Sequence, residues 1–264
     1  MEAGQSNDIP PLEDEVLQLF PNLSSKEIIE RALEVRKLAL STEYYRCIDA
    51  LQFLQLGLKR NCFYNQVFEN RNISELQILE IGCCFGVDIR RLIADGANRR
   101  RVFGVDLSDL LIRLGFELFG DELKDIFFTA DATSEGFVDV VSEKTCGMHD
   151  VIILQLVLHT VAEREIFLIR NIHKLLKPGG ILIGSTLATE EDLDQPMYVG
   201  AASQRRVIHS ERSLRRLFAS YGFSDIALKF SKWNECSTGW IEENFSFSLN
   251  EKSLGILSFC CKKP

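Results

Sequence analysis

LQILEIGCCFGVDIRRL, residues 76–92, changes character at its middle. Its first half, Leu76–Ile81, is a short, almost wholly apolar run of the kind that forms a buried strand. From Gly86 onward it reads as a helix. Gly82 permits a tight turn between the two, and Gly86 lets backbone come close to a ligand or to the sheet. The carboxylate of Glu80 sits beside that turn. A negative charge there is a poor neighbour for a pyrophosphate and a good one for a cationic amine or sulfonium. The same residues also suit a plain strand, turn and helix whose glycines serve geometry alone.

Working outward, the alternation continues. Strands are expected at Leu76–Ile81, Arg101–Val105, Asp125–Ala130, His149–Leu154 and Gly180–Leu187, with later ones at Ser224–Phe230 and Leu254–Lys262. Helices are expected between them at 86–95, 108–119, 135–144, 160–176 and 210–221. Thr160-Val161-Ala162-Glu163 has the capping-box pattern, and Lys177-Pro178-Gly179-Gly180 stops a helix and turns the chain. Short apolar runs alternating with amphipathic stretches indicate a doubly wound α/β domain. Upstream the pattern is helical. Ser24 or Ser25 caps a helix with Ile28, Ala32, Val35 and Ala39 on one face. A second helix is expected from Thr42, with Cys47, Leu51, Leu54 and Leu58 on its face, and a short third from Cys62 to Glu69. The acid- and proline-bearing residues 1–15 suggest a frayed or extended start. The expected organisation is a helical extension at 1–74 and an α/β domain at 75–264.

Composition excludes several classes. With 264 residues and 46% hydrophobic side chains, the chain can bury a substantial core, so disorder and a disulfide-held miniprotein are excluded. A net charge of −8 argues against a nucleic-acid partner. Four of the eight cysteines form adjacent pairs, Cys83-Cys84 and Cys260-Cys261, and none has CxxC spacing. Free thiols in a reducing, cytoplasmic setting follow. No apolar run reaches the ~20 residues that cross a bilayer. The four histidines are scattered, and no metal constellation appears.

Ligands in such sheets bind outside the carboxyl ends of the strands. The second strand ends in Gly104-Val105-Asp106-Leu107-Ser108. Asp106 there can accept from two ribose hydroxyls, as in many nucleotide cofactors, or it can join Ser108 in capping a helix. The third ends in Phe127-Phe128-Thr129-Ala130-Asp131-Ala132-Thr133, where Asp131 can take an exocyclic amine such as that of adenine, or cap. Three acids at three successive strand ends are less expected by chance than any one of them.

The series LEIGCCFG, GVDLS, TADAT, HDVIILQLVLHTV and LLKPGGILIGST resembles the class I S-adenosylmethionine-dependent methyltransferases over roughly residues 76–230. The double cysteine followed by Phe-Gly-Val-Asp-Ile-Arg resembles a branch from fungal secondary-metabolite clusters that acts on polyketide–terpenoid hybrids. The resemblance implies a Rossmann-like methyltransferase fold with a seven-stranded, mostly parallel sheet, and S-adenosyl-L-methionine as cofactor. It implies that Glu80, Gly82, Cys83, Cys84 and Gly86 surround the methionine part of the cofactor. Asp106 would then bind the ribose, with Leu107 against adenine, and Asp131 would take the adenine amine beside Ala132. Gln155 and Leu156 would lie near the methyl group. Cys84 departs from the family's G-x-G-x-G pattern, in which the middle position is glycine, so its Cβ tilts the turn or narrows the pocket.

After the fourth strand stands Gln155-Leu156-Val157-Leu158, not the Asn/Asp-Pro-Pro-Tyr/Phe of the amino-group methyltransferases of adenine and glutamine. The expected acceptor is a carboxyl or hydroxyl of a hydrophobic small molecule, a polyketide or terpenoid intermediate. The insertion at 188–209 is a candidate acceptor loop, with Met197, Tyr198, Arg205, Arg206 and His209 for an apolar body and an anionic group, or else a solvated surface loop. Tyr44 and Tyr45 either close over the cofactor or pack in a helix core. His159 is the candidate general base for a phenol acceptor, and otherwise a capping or packing residue. Two rival readings remain: a nicotinamide-dependent oxidoreductase, and a catalytically silent partner that keeps the fold. The amino-terminal helices leave a homodimer open.

Overall fold

The computed structural model describes residues 12–42, 44–69, 71–145, 147–200, 205–232 and 253–264. Residues 1–11 of the expected extended start lie outside that set. Within it, Asp14–Leu17 form a turn of helix, α1, held by burial of Val16 and by the Glu15 carboxylate on Lys59 at 2.6 Å. Helix α2, Ser25–Leu40, starts at Ser24, whose hydroxyl accepts from Glu27 N while the Glu27 carboxylate accepts from Ser24 N. Ile28, Ala32, Val35 and Ala39 are all buried, as their spacing requires.

The long second helix does not form. Helix α3 covers only Arg46–Asp49, and the chain then turns through Leu51 in the left-handed region at φ 54°. A short 3-10 turn, Gln52–Leu54, follows. The turn carries the Phe53 ring edge-on to Phe85, with ring centroids 4.6 Å apart. The left-handed residue costs about 1–2 kcal/mol, which the edge-on pair, about 0.5–1.5 kcal/mol, offsets together with burial of the Phe53 side chain. Helix α4 is Tyr64–Phe68, shorter than expected. Before it, the buried Asn61 donates to the Gly184 carbonyl at 2.7 Å, so this segment is fastened to the sheet.

Five parallel strands follow: β1 (Ile78–Ile81), β2 (Val102–Asp106), β3 (Phe127–Thr129), β4 (His149–Gln155) and β5 (Leu176–Thr189). Among the described residues, strands β6 (Met197–Val199) and β7 (Arg206–Ile208) pair only with each other. Strands β8 (Ser224–Lys232) and β9 (Leu254–Lys262) complete a seven-stranded sheet of order β3-β2-β1-β4-β5-β9-β8, with β9 antiparallel to both neighbours. Central strands covered on both faces need continuous apolar sequence, and β1 is buried at every position. The crossover helices are α5 (Val87–Ala94), α6 (Asp109–Phe119), α7 (Phe137–Thr145), α8 (Glu165–Leu175) and α9 (Glu211–Ser220). The doubly wound, mostly parallel fold is as expected.

Two details differ from the sequence reading. Helix α8 begins at Glu165, not Thr160, and its N-cap Arg164 makes no side-chain cap bond. The Thr160 hydroxyl donates back to the Val157 carbonyl at 2.7 Å, and Glu163 sits at φ 66°, so the capping-box pattern closes a 3-10 turn (Leu158–Thr160) instead. Lys177–Gly180 does stop the helix, yet it lies within β5, where the pairing with β4 jumps from Leu176 to Ile181. The amino-terminal helices share one apolar cluster with Phe85, Leu111, Leu114, Leu118 and Phe119, which places them against the end of β1 and the face of α6.

Candidate functional site

A cavity of about 470 Å³ opens at the carboxyl ends of β1, β2 and β4. The strand order reverses between β1 and β4, which is where an open α/β sheet leaves a crevice. Residues 44–57 roof it.

Its floor is the turn after β1. Gly82 N and Cys83 N both donate to the Val105 carbonyl, at 2.8 and 3.1 Å, and pin the turn to β2. Gly82 has φ 73°, and a Cβ there would lie 2.2 Å from Val157 Cγ2. Cys84 takes φ 52° despite its side chain, and its N–H donates to Asp106 Oδ2 at 2.8 Å. The non-glycine at this position is therefore strained by about 1–2 kcal/mol but held. Burial pushes the thiols of Cys83 and Cys84 well up, so both are protonated packing groups. Gly86, which the resemblance puts beside the cofactor, is not among the residues that line the cavity; of the two close approaches open to it, the structure shows the one against its own packing neighbours. A Cβ on it would meet the Phe127 ring at 2.5 Å and the Arg90 guanidinium at 2.8 Å, so its bareness serves packing. Arg90 in turn donates to the Phe85 and Gly86 carbonyls at 2.7 and 3.1 Å and pairs with Asp121, which locks the turn.

Glu80, on β1, lines the cavity while only 4% exposed, and its Oε2 has no partner among the described residues. Burial, then the nearby Asp88 and Asp106 carboxyls, push its pKa well above the ordinary value. Asp106, at the end of β2, also accepts from Ser108 N at 2.9 Å, and Ser108 caps α6. Leu107 lines the cavity and is 67% exposed, an apolar side chain left without cover at the rim. Asp131 lines the wall beside Ala132, but its carboxylate is already engaged: Oδ1 accepts from Thr133 N and Oγ1, and Oδ2 pairs with Arg164 at 2.9 Å. Those contacts oppose burial and hold its pKa below the usual range.

At the end of β4, Gln155 Oε1 accepts from Ser185 Oγ at 2.5 Å, leaving its buried Nε2 unpartnered among the described residues. Leu156 turns the chain at φ 54°. His159 lines the same end. Its Nδ1 has no partner among the described residues, and burial, then the Arg206 cation, lower its pKa to about 3.

Within 188–209 only part of the expected cluster reaches this cavity. The insertion is the β6–β7 hairpin, and Arg206 contributes its side chain to the wall. Tyr198 instead donates to Glu165 at 2.6 Å, Arg205 pairs with Glu163, and His209 is buried beside Ser213. Met197 packs on the small cluster of Leu187, Ile208 and Leu254. Tyr44 and Tyr45 precede α3 and line the cavity, so they are not helix-core residues. The sequence reading missed Gln52, Gln55, Asp88 and Ile256, which also line it. Asp88 is an acid in the first turn of a helix, a common placement that carries no signal of its own in the sequence.

A family model described as a methyltransferase domain matches residues 13–228. The O-methyltransferase atr3 of Stereocaulon alpinum is 30% identical over 236 residues, covering 86% of this chain and 65% of that one. The Asnovolin E/Chermesin D methyltransferase nvfJ of Aspergillus novofumigatus is 29% identical over 178 residues, covering 66% of this chain and 63% of that one. The chain thus spans a little under two thirds of the length of these curated relatives. Among solved structures, an S-adenosylmethionine-dependent methyltransferase from Mesorhizobium loti superposes with a TM-score of 0.51 at 15% identity, over 78% of this chain and 100% of that one, a likeness of fold. The nicotinamide alternative finds no support in these matches. The resemblance read from the five motifs is correct, and the chain belongs to the methyltransferase-domain family.

Proposed function

We propose that the chain is an S-adenosylmethionine-dependent O-methyltransferase acting on a hydrophobic small molecule, with a carboxyl acceptor favoured over a hydroxyl. The observation that carries the cofactor reading is one cavity whose wall holds Glu80, Asp106 and Asp131 from three successive strand ends. The residues fit the group. A buried carboxyl lacks a partner at Glu80, an uncovered Leu107 waits at the rim, and Gly82 keeps the turn free of a Cβ. Glu80 would face the amino-acid end, Asp106 the ribose and Leu107 the adenine. Asp131, already paired, would offer the adenine amine a shared oxygen lone pair. Membership in the family, and the names of the relatives, support the same reading.

When bound, the cofactor supplies a methyl group on a sulfonium. The chain then has to bring an oxygen nucleophile into line with it, and positioning accounts for much of such a rate. A phenol, with a pKa of ~10, would need a base. His159, held at a pKa of about 3, is a weak one. A carboxylate arrives ionised and needs none. Arg206 and Gln155 Nε2 are donors at that end of the cavity, and among the described residues Arg206 has no carboxylate partner. The many apolar groups around them suit a hydrophobic acceptor body.

Methyl transfer to a panel of lipophilic carboxylic acids and phenols, followed by mass spectrometry, tests the class. His159→Ala is expected to change kcat less than about 3-fold, and log kcat to show no histidine inflection between about pH 5 and 8. The sign follows from the lowered pKa: His159 stays neutral throughout that window. A loss near 100-fold, with an acid limb near pH 6.5, would establish a general base and a hydroxyl acceptor. Arg206→Met is expected to raise the acceptor KM about 10- to 100-fold while kcat changes little, through loss of a charge-assisted hydrogen bond. An unchanged KM removes Arg206 from the acceptor site. Absence of S-adenosylhomocysteine binding to the wild type by calorimetry would point to a silent partner instead.

A further inference from the structure

Asp88 is the second residue of α5, lines the cavity and is 6% exposed. Its Oδ2 accepts from Leu58 N at 3.1 Å, a bond across thirty residues to the amino-terminal segment. Its Oδ1 has no partner among the described residues. Glu80 is in the same condition: buried, lining the same cavity, with one oxygen unpartnered. The two carboxyls repel each other, and Asp106 adds to the repulsion from β2. Arg90 is the cation facing them, but it is spent on Asp121 and on the carbonyls of Phe85 and Gly86. Burial, opposed by the Leu58 bond, raises the Asp88 pKa to about 7. Two carboxyls in a dry corner cannot both ionise without a cation between them.

Asp88 is a poor choice if its task were only to cap or to suit the helix dipole. A serine would accept from a backbone N–H with no charge to desolvate, and an exposed acid would serve the dipole equally well. An unpartnered oxygen on each of two neighbouring buried carboxyls, both on residues that line the cavity, matches a ligand with several donors and one positive charge. An ammonium has three N–H donors on a compact cation.

We propose that Asp88 and Glu80 together clamp the ammonium of the cofactor's amino-acid moiety, and that the Leu58 bond makes this clamp the link between cofactor and amino-terminal segment. The proposal rests on the cofactor reading above. It assigns the amino-acid end of the cavity to Glu80 and Asp88 jointly, with Leu58 as their anchor, and it makes the ammonium the group that relieves their repulsion.

The test is calorimetric binding of two ligands, S-adenosylhomocysteine and 5′-methylthioadenosine, the second lacking the amino-acid end. Asp88→Asn keeps an oxygen to accept from Leu58 N and removes the charge. It is expected to weaken S-adenosylhomocysteine about 10- to 100-fold, the loss of a charge-assisted bond, and to leave 5′-methylthioadenosine within about 2-fold. Glu80→Gln should show the same selective loss, and the double variant less than the sum of the two, since both act on one group. Thermal unfolding of each variant separates lost binding from lost fold. Equal weakening of both ligands, or no weakening of S-adenosylhomocysteine, would overturn the clamp alone. A wild type that binds neither ligand would overturn the cofactor reading and the clamp with it.

Discussion

Alanine at Gly82 is expected to lower the unfolding midpoint by roughly 5–15 °C and to remove measurable S-adenosylhomocysteine binding. The residue stands at φ 73°, where a Cβ costs about 1–2 kcal/mol. The added carbon would also lie 2.2 Å from Val157 Cγ2, and a valine has no long side chain to swing aside. Overpacking of this kind adds about 1–3 kcal/mol, and a domain of this size loses a few degrees per kcal/mol. The turn would have to move off the Val105 carbonyl that anchors it, and the cavity floor moves with it. Gly136→Ala is the control. Nothing lies within 4 Å of a Cβ there, so its midpoint should barely change. Scanning calorimetry of both variants decides the matter, and a shift below about 2 °C for Gly82→Ala would show that the turn yields easily.

The second large effect is on affinity. Asp106→Ala is expected to weaken S-adenosylhomocysteine about 100-fold or more. The aspartate holds Cys84 N at 2.8 Å and Ser108 N at 2.9 Å, and so shapes the turn while presenting its charge to the cavity. Two hydrogen bonds from ribose hydroxyls to a carboxylate contribute about 3 kcal/mol or more together, which is about 100-fold in a dissociation constant. Asp106→Asn separates the two tasks, since its amide oxygen can still accept from one backbone N–H. A dissociation constant within about 3-fold of the wild type for Asp106→Ala would remove ribose recognition from this residue.

The β1–α5 stretch was readable because its information is local. Glycine at 82 answers a backbone requirement, and an apolar run of strand length has few other uses in such a domain. The strand-end acids Glu80, Asp106 and Asp131 could be found because the α/β topology dictates where to look. The amino-terminal segment was not readable in the same way. Leu51, Leu54 and Leu58 have helical spacing, yet the chain turns at Leu51, and just past the turn Phe53 packs on Phe85, thirty-two residues away in sequence. Thr160 misled because a hydroxyl near a helix start can bond forward or back, and here it bonds back to Val157. A glycine at 86 suits a ligand or the sheet equally well in sequence, and only the structure shows that the atoms it makes room for are those of Phe127 and Arg90. Asp88 escaped notice because an acid in the first turn of a helix is ordinary. Only its burial, and the oxygen left without a partner among the described residues, set it apart.

The place of β9 between β5 and β8 has a consequence for the order in which the chain can organise itself. Strand β8 is made before β9 in sequence, yet β9 is its only neighbour in the described sheet. As the chain leaves the ribosome, the first five strands can pair while β8 has nothing to pair with, and the edge of β5 stays open. Both edges close in one late step, when Leu254–Lys262 slots between them. In pulse-labelled hydrogen exchange during refolding, the amides of β8 should therefore gain protection together with those of β9, and after those of β1 and β4.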